Sequence, residues 1–200
     1  MKIINIIGGL GNQMFIYAMY LALRHAHPQE KIYLCRKSYN GYPLHNGYEL
    51  DRIFGVNVQE ANMYHLTRLA YPFFNYRTWQ FMRHFLPKRK SMTSGTTQIP
   101  FDYMEIIRTG DVFYDGYWQN EKNFISIRSE ILKAFSFPEF KDINNKQLAL
   151  KLSTLRAASC HIRRGDYLKD KIFGVYTYLT YLFHYCHLNY CFNRLLVCVL

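Results

Sequence analysis

The densest chemistry in the 200-residue chain is one heptad, His161-Ile162-Arg163-Arg164-Gly165-Asp166-Tyr167. Its two adjacent guanidiniums are permanently charged. Each offers a planar fork of N–H donors that can grip a phosphate through two parallel bonds. Gly165 permits a sharp turn or the close approach of a ligand. Asp166 can orient an arginine or accept a sugar hydroxyl. The heptad follows small and apolar residues, Ala157 to Cys160, that read as a buried strand. The motif would then stand just beyond a strand's carboxyl end, the rim where open α/β sheets bind ligands. A plain surface Arg–Asp pair is the alternative.

A second candidate lies at the start. Ile3, Ile4, Asn5, Ile6 and Ile7 predict a strand. Gly8-Gly9-Leu10-Gly11-Asn12-Gln13 follows, and then Met14, Tyr17, Ala18, Leu21, Ala22 and His25 recur at helical spacing. Strand, glycine turn, helix is the layout of a phosphate cradle, with free N–H groups at the helix start. Met14 stands where a dinucleotide fingerprint needs glycine, and no Gly-Lys-Ser/Thr follows for a P-loop. What remains is a turn that presents the Asn12 and Gln13 amides to phosphate or sugar oxygens. The competing reading makes Asn12 a helix cap, which leaves three glycines unexplained.

The elements that must position these motifs alternate. A second strand is expected over Lys31–Cys35, then a loop over 38–48 and a short helix from Glu49 to Phe54. Residues 62–86 are helical in tendency and broken near Pro72. Ser91–Thr97 reads as a polar loop, Phe101–Ile107 as a strand and Val112–Trp118 as an aromatic strand. A helix runs from Gln119 to about Phe137 with Asn120 as its cap, and another from Asp142 to Leu152. Strands alternating with helices imply an α/β fold with a mainly parallel, helix-covered sheet. No internal repeat is visible.

Composition bounds the partners. Twenty-five Lys and Arg against fourteen Asp and Glu give a net charge of +11, which favours anionic ligands. No nucleic-acid-binding signature accompanies that charge, so nucleic acid is not expected. The aromatic, basic segment 62–86 reads as core with charged edges or as a membrane-contacting surface. Five cysteines are too few and too irregular for a disulfide framework. His184, Cys186, His187 and Cys191 match no usual zinc spacing. The apolar start is too short for a secretory signal, so a cytoplasmic location is the default expectation. From Phe173 to Leu200 the only charged residue is Arg194. That stretch lacks the periodicity of its neighbours and reads as an aberrant or out-of-frame end, with a buried segment or a membrane anchor as alternatives.

The two motifs together resemble the bacterial α-1,2-fucosyltransferases of glycosyltransferase family 11. Asp115-Gly116-Tyr117-Trp118-Gln119-Asn120-Glu121-Lys122-Asn123-Phe124 is similar to that family's middle motif, and the likeness runs from residue 1 to about 171. The resemblance implies a GT-B-type architecture with the active site between two Rossmann-like halves. It implies GDP-fucose as donor, a galactose-terminated glycan as acceptor, transfer to the 2-hydroxyl with inversion, and no metal or other cofactor.

On the matching positions, Gly9, Gly11, Asn12 and Gln13 would approach the donor from the first domain. Arg163 would bind the pyrophosphate, with Arg164 beside it. His161 and Asp166 are candidates for the catalytic base, although donor contact would suit them equally. Family members continue for roughly another hundred residues beyond the arginine motif. The implied organisation is an acceptor-side domain over 1–154, the first strand and arginine loop of an incomplete donor domain over 155–172, and an aberrant tail over 173–200. Little or no transferase activity is expected of such a chain. The open alternatives are a non-catalytic nucleotide- or phosphate-binding module and a small membrane-associated protein, peripheral at the inner membrane.

Overall fold

The computed structural model describes residues 1–95, 106 and 108–155. The opening isoleucines form β1, Lys2–Asn5, which starts one residue before the expected strand and ends two before its end. Ile32–Cys35 forms β2, Met92–Gly95 forms β3 and Val112–Gly116 forms β4. Among the described residues these build one four-stranded sheet in the order β2-β1-β4-β3, with every pairing parallel. Asn5 pairs with Cys35 on one side and Asp115 on the other, so three carboxyl ends lie level.

Side chains alternate across the sheet, and both faces are covered. Ile4, Ile6, Val112 and Tyr114 join one buried cluster with α1, Leu10–Ala26, and with Leu50 of α2, Leu50–Phe54. Ile3 and Phe113 join a second cluster with Leu66 and Leu69 of α3, Met63–Leu69, and Trp79 of α4, Tyr76–Phe85. This is an α/β fold with a Rossmann-like sheet. Gly55 ends α2 in the left-handed conformation, φ 64°. Asn62 and Asn75 start α3 and α4 with capping boxes, which explains the clean break around Pro72.

Three segments differ from the sequence reading. Met92–Gly95 lies in the expected polar loop yet forms an edge strand, because its backbone pairs with β4 and an edge needs no apolar alternation. Of the strand expected over Phe101–Ile107 only Ile106 is described, and it is helical and buried. The helix expected from Gln119 to Phe137 is broken into 3-10 turns at Glu121–Asn123 and Ile125–Ile127, then α5, Arg128–Ala134. Asn120 caps the first of these, accepting from the Lys122 N–H.

The chain divides into two compact units, Met1–Pro138 and Glu139–Leu200. In the second, α6 spans Ile143–Ser153 and is capped by Asp142. The expected strand at 157–160, the heptad at 161–167 and the tail at 173–200 lie outside the described residues. Among those that are described, no helix is long and apolar enough to cross a membrane.

Candidate functional site

Beyond β1 the chain turns at Gly8, whose φ of 96° is left-handed. A Cβ there would stand 2.7 Å from Asn12 Nδ2 and 3.2 Å from the Tyr117 ring. Conformation and crowding both demand glycine. Gly9 is the N-cap of α1, and no side chain caps it. No side chain therefore occupies the first N–H groups of this 17-residue helix, which carry partial positive charge. A Cβ on Gly9 would meet the His45 ring at 3.2 Å, whereas one on Gly11 would meet nothing within 4 Å. The turn is thus walled at Gly8 and Gly9 and open at Gly11.

The topology explains the placement. From β1 the chain runs through α1 to β2 on one side, while β4 and β3 lie on the other side of β1. Between β1 and β4 the connections diverge, which is the switch point where such sheets hold ligands. The loop after β4 meets the glycine turn there. Gln119 Nε2 donates to Asn12 Oδ1 at 2.6 Å. His45 and Trp118, the non-glycine residues with positive φ among those described, stand in the two loops that border the turn. Such conformers cost about 1 kcal/mol or more and gather at ligand sites.

Gln13, expected with Asn12 to present its amide, instead turns it inward. The side chain is fully buried. Its Nε2 donates to the carbonyls of Gly8 and Gly47 at 3.0 and 2.8 Å, and its Oε1 accepts from the Glu49 N–H at 2.9 Å. Gln13 therefore staples the turn to the 47–49 loop, and Tyr39 adds a bond from its hydroxyl to Gly8 O at 2.7 Å.

A polar chain underlies this rim. Ser38 Oγ donates to Asn5 Oδ1, and Asn5 Nδ2 donates to Asp115 Oδ1, each at 2.9 Å. Arg83 Nη1 stands 3.8 Å from Asp115 Oδ2. Burial pushes the Asp115 carboxyl up, against the Asn5 hydrogen bond and the Arg83 and Lys88 charges that hold it down. Beside it, half-buried rings form a wall. Tyr42 and Tyr76 meet edge to face at 4.9 Å between centroids, and His45 lies 6.1 Å from Tyr42. Tyrosine rings beside the Asn12–Gln119 amide pair suit a pyranose, with C–H groups on the rings and hydroxyls on the amides.

His161, Arg163, Arg164 and Asp166 lie outside the described residues. Two shallow depressions, one lined by Arg24, His27 and Glu30 and one by Lys31, Asn57 and Gln59, lie toward the amino ends of the strands, away from the turn. Among the described residues no three His, Cys, Asp or Glu side chains converge as a metal site.

The chain is 28% identical over 194 residues to an alpha-1,2-colitosyltransferase of Escherichia coli. This relative is a glycosyltransferase. The match covers 94% of the chain, which spans 64% of the relative's length. The relative's name specifies colitose, where the motifs resemble those of fucosyltransferases; glycosyl transfer is common to both. No family model matches the chain, and no solved structure does.

Sequence reasoning assigned no role to Asp115, Tyr117, Gln119 or His45. The first three were legible in principle, since they end an expected strand, where an α/β sheet places its functional groups. His45 carries no such signal, because nothing in a Pro-Leu-His-Asn run marks which residue turns left-handed.

Proposed function

We infer that the protein is a galactoside 2-α-L-fucosyltransferase, an inverting enzyme that uses GDP-fucose and needs no metal. The observation that carries this reading is the Asn12–Gln119 bridge at the switch point. It joins an open glycine turn, an uncapped helix terminus and the middle motif in one place. The acceptor 2-hydroxyl attacks the anomeric carbon of fucose from the face opposite GDP. The carbon–oxygen bond to the phosphate breaks with its electron pair leaving on GDP, and the hydroxyl proton passes to a base. His161 and Asp166 remain the candidates for that base.

Negative charge grows on the departing diphosphate. Fixed donors offset it without reorganising: the N–H groups at the start of α1, and Arg163 and Arg164 from the second half of a GT-B-type cleft. Gly9, Gly11 and Asn12 line the approach, and Gln13 shapes it from below. Tyr42, Tyr76 and Tyr117 border the space for a galactose-terminated acceptor. The work is placed in the cytoplasm, where a nucleotide sugar is at hand.

A second donor is favoured by the relative's name. Colitose is fucose without its 3-hydroxyl, so one site could accept either unless a polar group waits for that hydroxyl. Calorimetric titration of the full chain tests the reading. GDP is expected to bind more tightly than ADP or UDP, and GDP-fucose more tightly than GDP-mannose. Equal or better binding of ADP or UDP would falsify the GDP-sugar assignment.

A further inference from the structure

We propose that the outer face of α4, with the basic segment that follows it, docks the protein on an anionic lipid surface. Between Ala61 and Phe101 the chain has no aspartate or glutamate, yet it carries Arg68, Arg77, Arg83, Lys88, Arg89 and Lys90. Arg68 pairs with Asp111 and Arg83 stands 3.8 Å from Asp115, so the unbalanced charge on these forty-one acid-free residues is that of Arg77, Lys88, Arg89 and Lys90.

Helix α4 sorts its side chains sharply. Trp79 is fully buried against Phe73 and Phe113. On the far side Phe81 and Phe85 are 57% and 66% exposed, and their rings pack together 4.7 Å apart. Phe74, just before the cap, is 62% exposed. Arg77 and His84 on the same helix are exposed too, as are Lys88, Arg89 and Lys90 just after it, of which Arg89 lies over the Tyr71 ring and Lys88 donates to Ser94 Oγ. Core packing, the other reading of this segment, accounts for Trp79 and Phe73 but not for these three phenylalanines.

Exposed aromatic rings ringed by cations fit the boundary between lipid headgroups and acyl chains, rings inward and charges on the phosphates. A zwitterionic surface would satisfy the rings but not the charges. An acidic protein is the competing occupant, since aromatic rings serve protein interfaces too, and the vesicle test below decides between the two. The ten-residue helix would lie along the surface, being about 15 Å long and too short to cross it.

The test is co-sedimentation of the full chain with vesicles of phosphatidylcholine containing about a third phosphatidylglycerol, against pure phosphatidylcholine, near physiological salt. Binding is expected only to the anionic vesicles, and it should fall steeply at about 0.5 M salt. Phe81→Ser/Phe85→Ser should weaken it about tenfold or more, since two buried rings are lost. Arg77→Glu/Lys90→Glu should do the same. Phe137→Ser, which removes a ring 69% exposed that packs on Phe54 on the other face of the sheet, should bind as the parent does. Circular dichroism of each variant checks that the fold is kept. The proposal is overturned by equal binding to both vesicle types, by no binding to either, or by a Phe81/Phe85 variant that binds undiminished. The last result would leave adsorption by charge alone, and the second would assign the face to another occupant.

Discussion

Two glycines three residues apart do opposite jobs in the front turn. Gly8 is fixed by its φ of 96° and by Asn12 and Tyr117 against its missing side chain. Gly8→Ala should destabilise the fold by roughly 1–3 kcal/mol and break the Asn12–Gln119 bridge. Gly11 sits in the first turn of α1 with open space where a Cβ would go. Gly11→Ala should therefore stabilise the protein, by up to about 1 kcal/mol, because alanine is the better helix former. If Gly11 is open because a donor must approach it, the same methyl should weaken GDP-fucose binding. Thermal melts and titrations on the pair check this; a Gly11→Ala protein that is more stable and binds undiminished would remove Gly11 from the site.

Asp115 makes a pH prediction at the same scale. Its native carboxyl titrates above its unfolded value of about 3.9, because burial disfavours the charge. Between those two values the native state holds a proton that the unfolded chain has lost. The stability this group contributes is full below about pH 3.9 and is lost as pH rises through the native value. Glu30 and Asp111 work the other way. Hydrogen bonds from the N-terminal ammonium hold both low, against burial, so their contribution is lost as pH falls. Comparing parent with Asp115→Asn cancels those groups. Urea midpoints from about pH 4 to 7 should rise less or fall more in the parent than in the variant. Parallel profiles would mean that Asp115 titrates normally.

At the scale of elements, the rim depends on one buried side chain. Gln13 holds the Gly8 and Gly47 carbonyls and the Glu49 N–H, so it ties α1 to the loop that carries Tyr42 and His45. Gln13→Leu keeps the bulk and orphans two backbone groups, the Gly47 carbonyl and the Glu49 N–H, while Tyr39 still donates to the Gly8 carbonyl. A loss of more than about 2 kcal/mol in the urea-unfolding free energy is expected, at about 1–3 for each group left buried without a partner. A loss within about 0.5 kcal/mol would mean that the loop re-satisfies its own groups.

That staple shows what the sequence could and could not tell. The strand–glycine–helix unit was legible because four isoleucines, three glycines and a helical apolar period all agree locally. So were the end of α2 at Gly55 and the break near Pro72, whose chemistry is local. Whether Gln13 faced a ligand or the protein was not, since two of its three partners, Gly47 and Glu49, stand 34 or more positions away. Met92–Gly95 was missed for the same reason: its strand character comes from pairing with β4, not from its own residues. The break between Glu121 and Arg128 was hidden because every residue there tolerates a helix.

For the whole molecule, a net charge of +11 sets an attractive field for any anion, and that field alone could mimic specific binding. The joint grip proposed for the diphosphate makes a sharper claim than attraction. It asks that the Gly9–Asn12 turn and Arg163–Arg164, some 150 residues later, hold the same two phosphates. Diffuse attraction should fall with salt alike in every variant and should not distinguish one surface arginine from another. A built grip should respond to particular residues. Arg163→Ala/Arg164→Ala is expected to weaken GDP binding by roughly ten- to a hundredfold or more, at about 1.5–3 kcal/mol for each charge-assisted bond lost. Arg52→Ala removes one such charge from a residue of α2 that pairs with Glu49, so it should change GDP affinity little. Galactoside binding is uncharged and should be indifferent to salt and to both substitutions. If the Arg52 variant loses as much per charge as the Arg163/Arg164 variant, the +11 field explains the binding and the two motifs do not share a ligand.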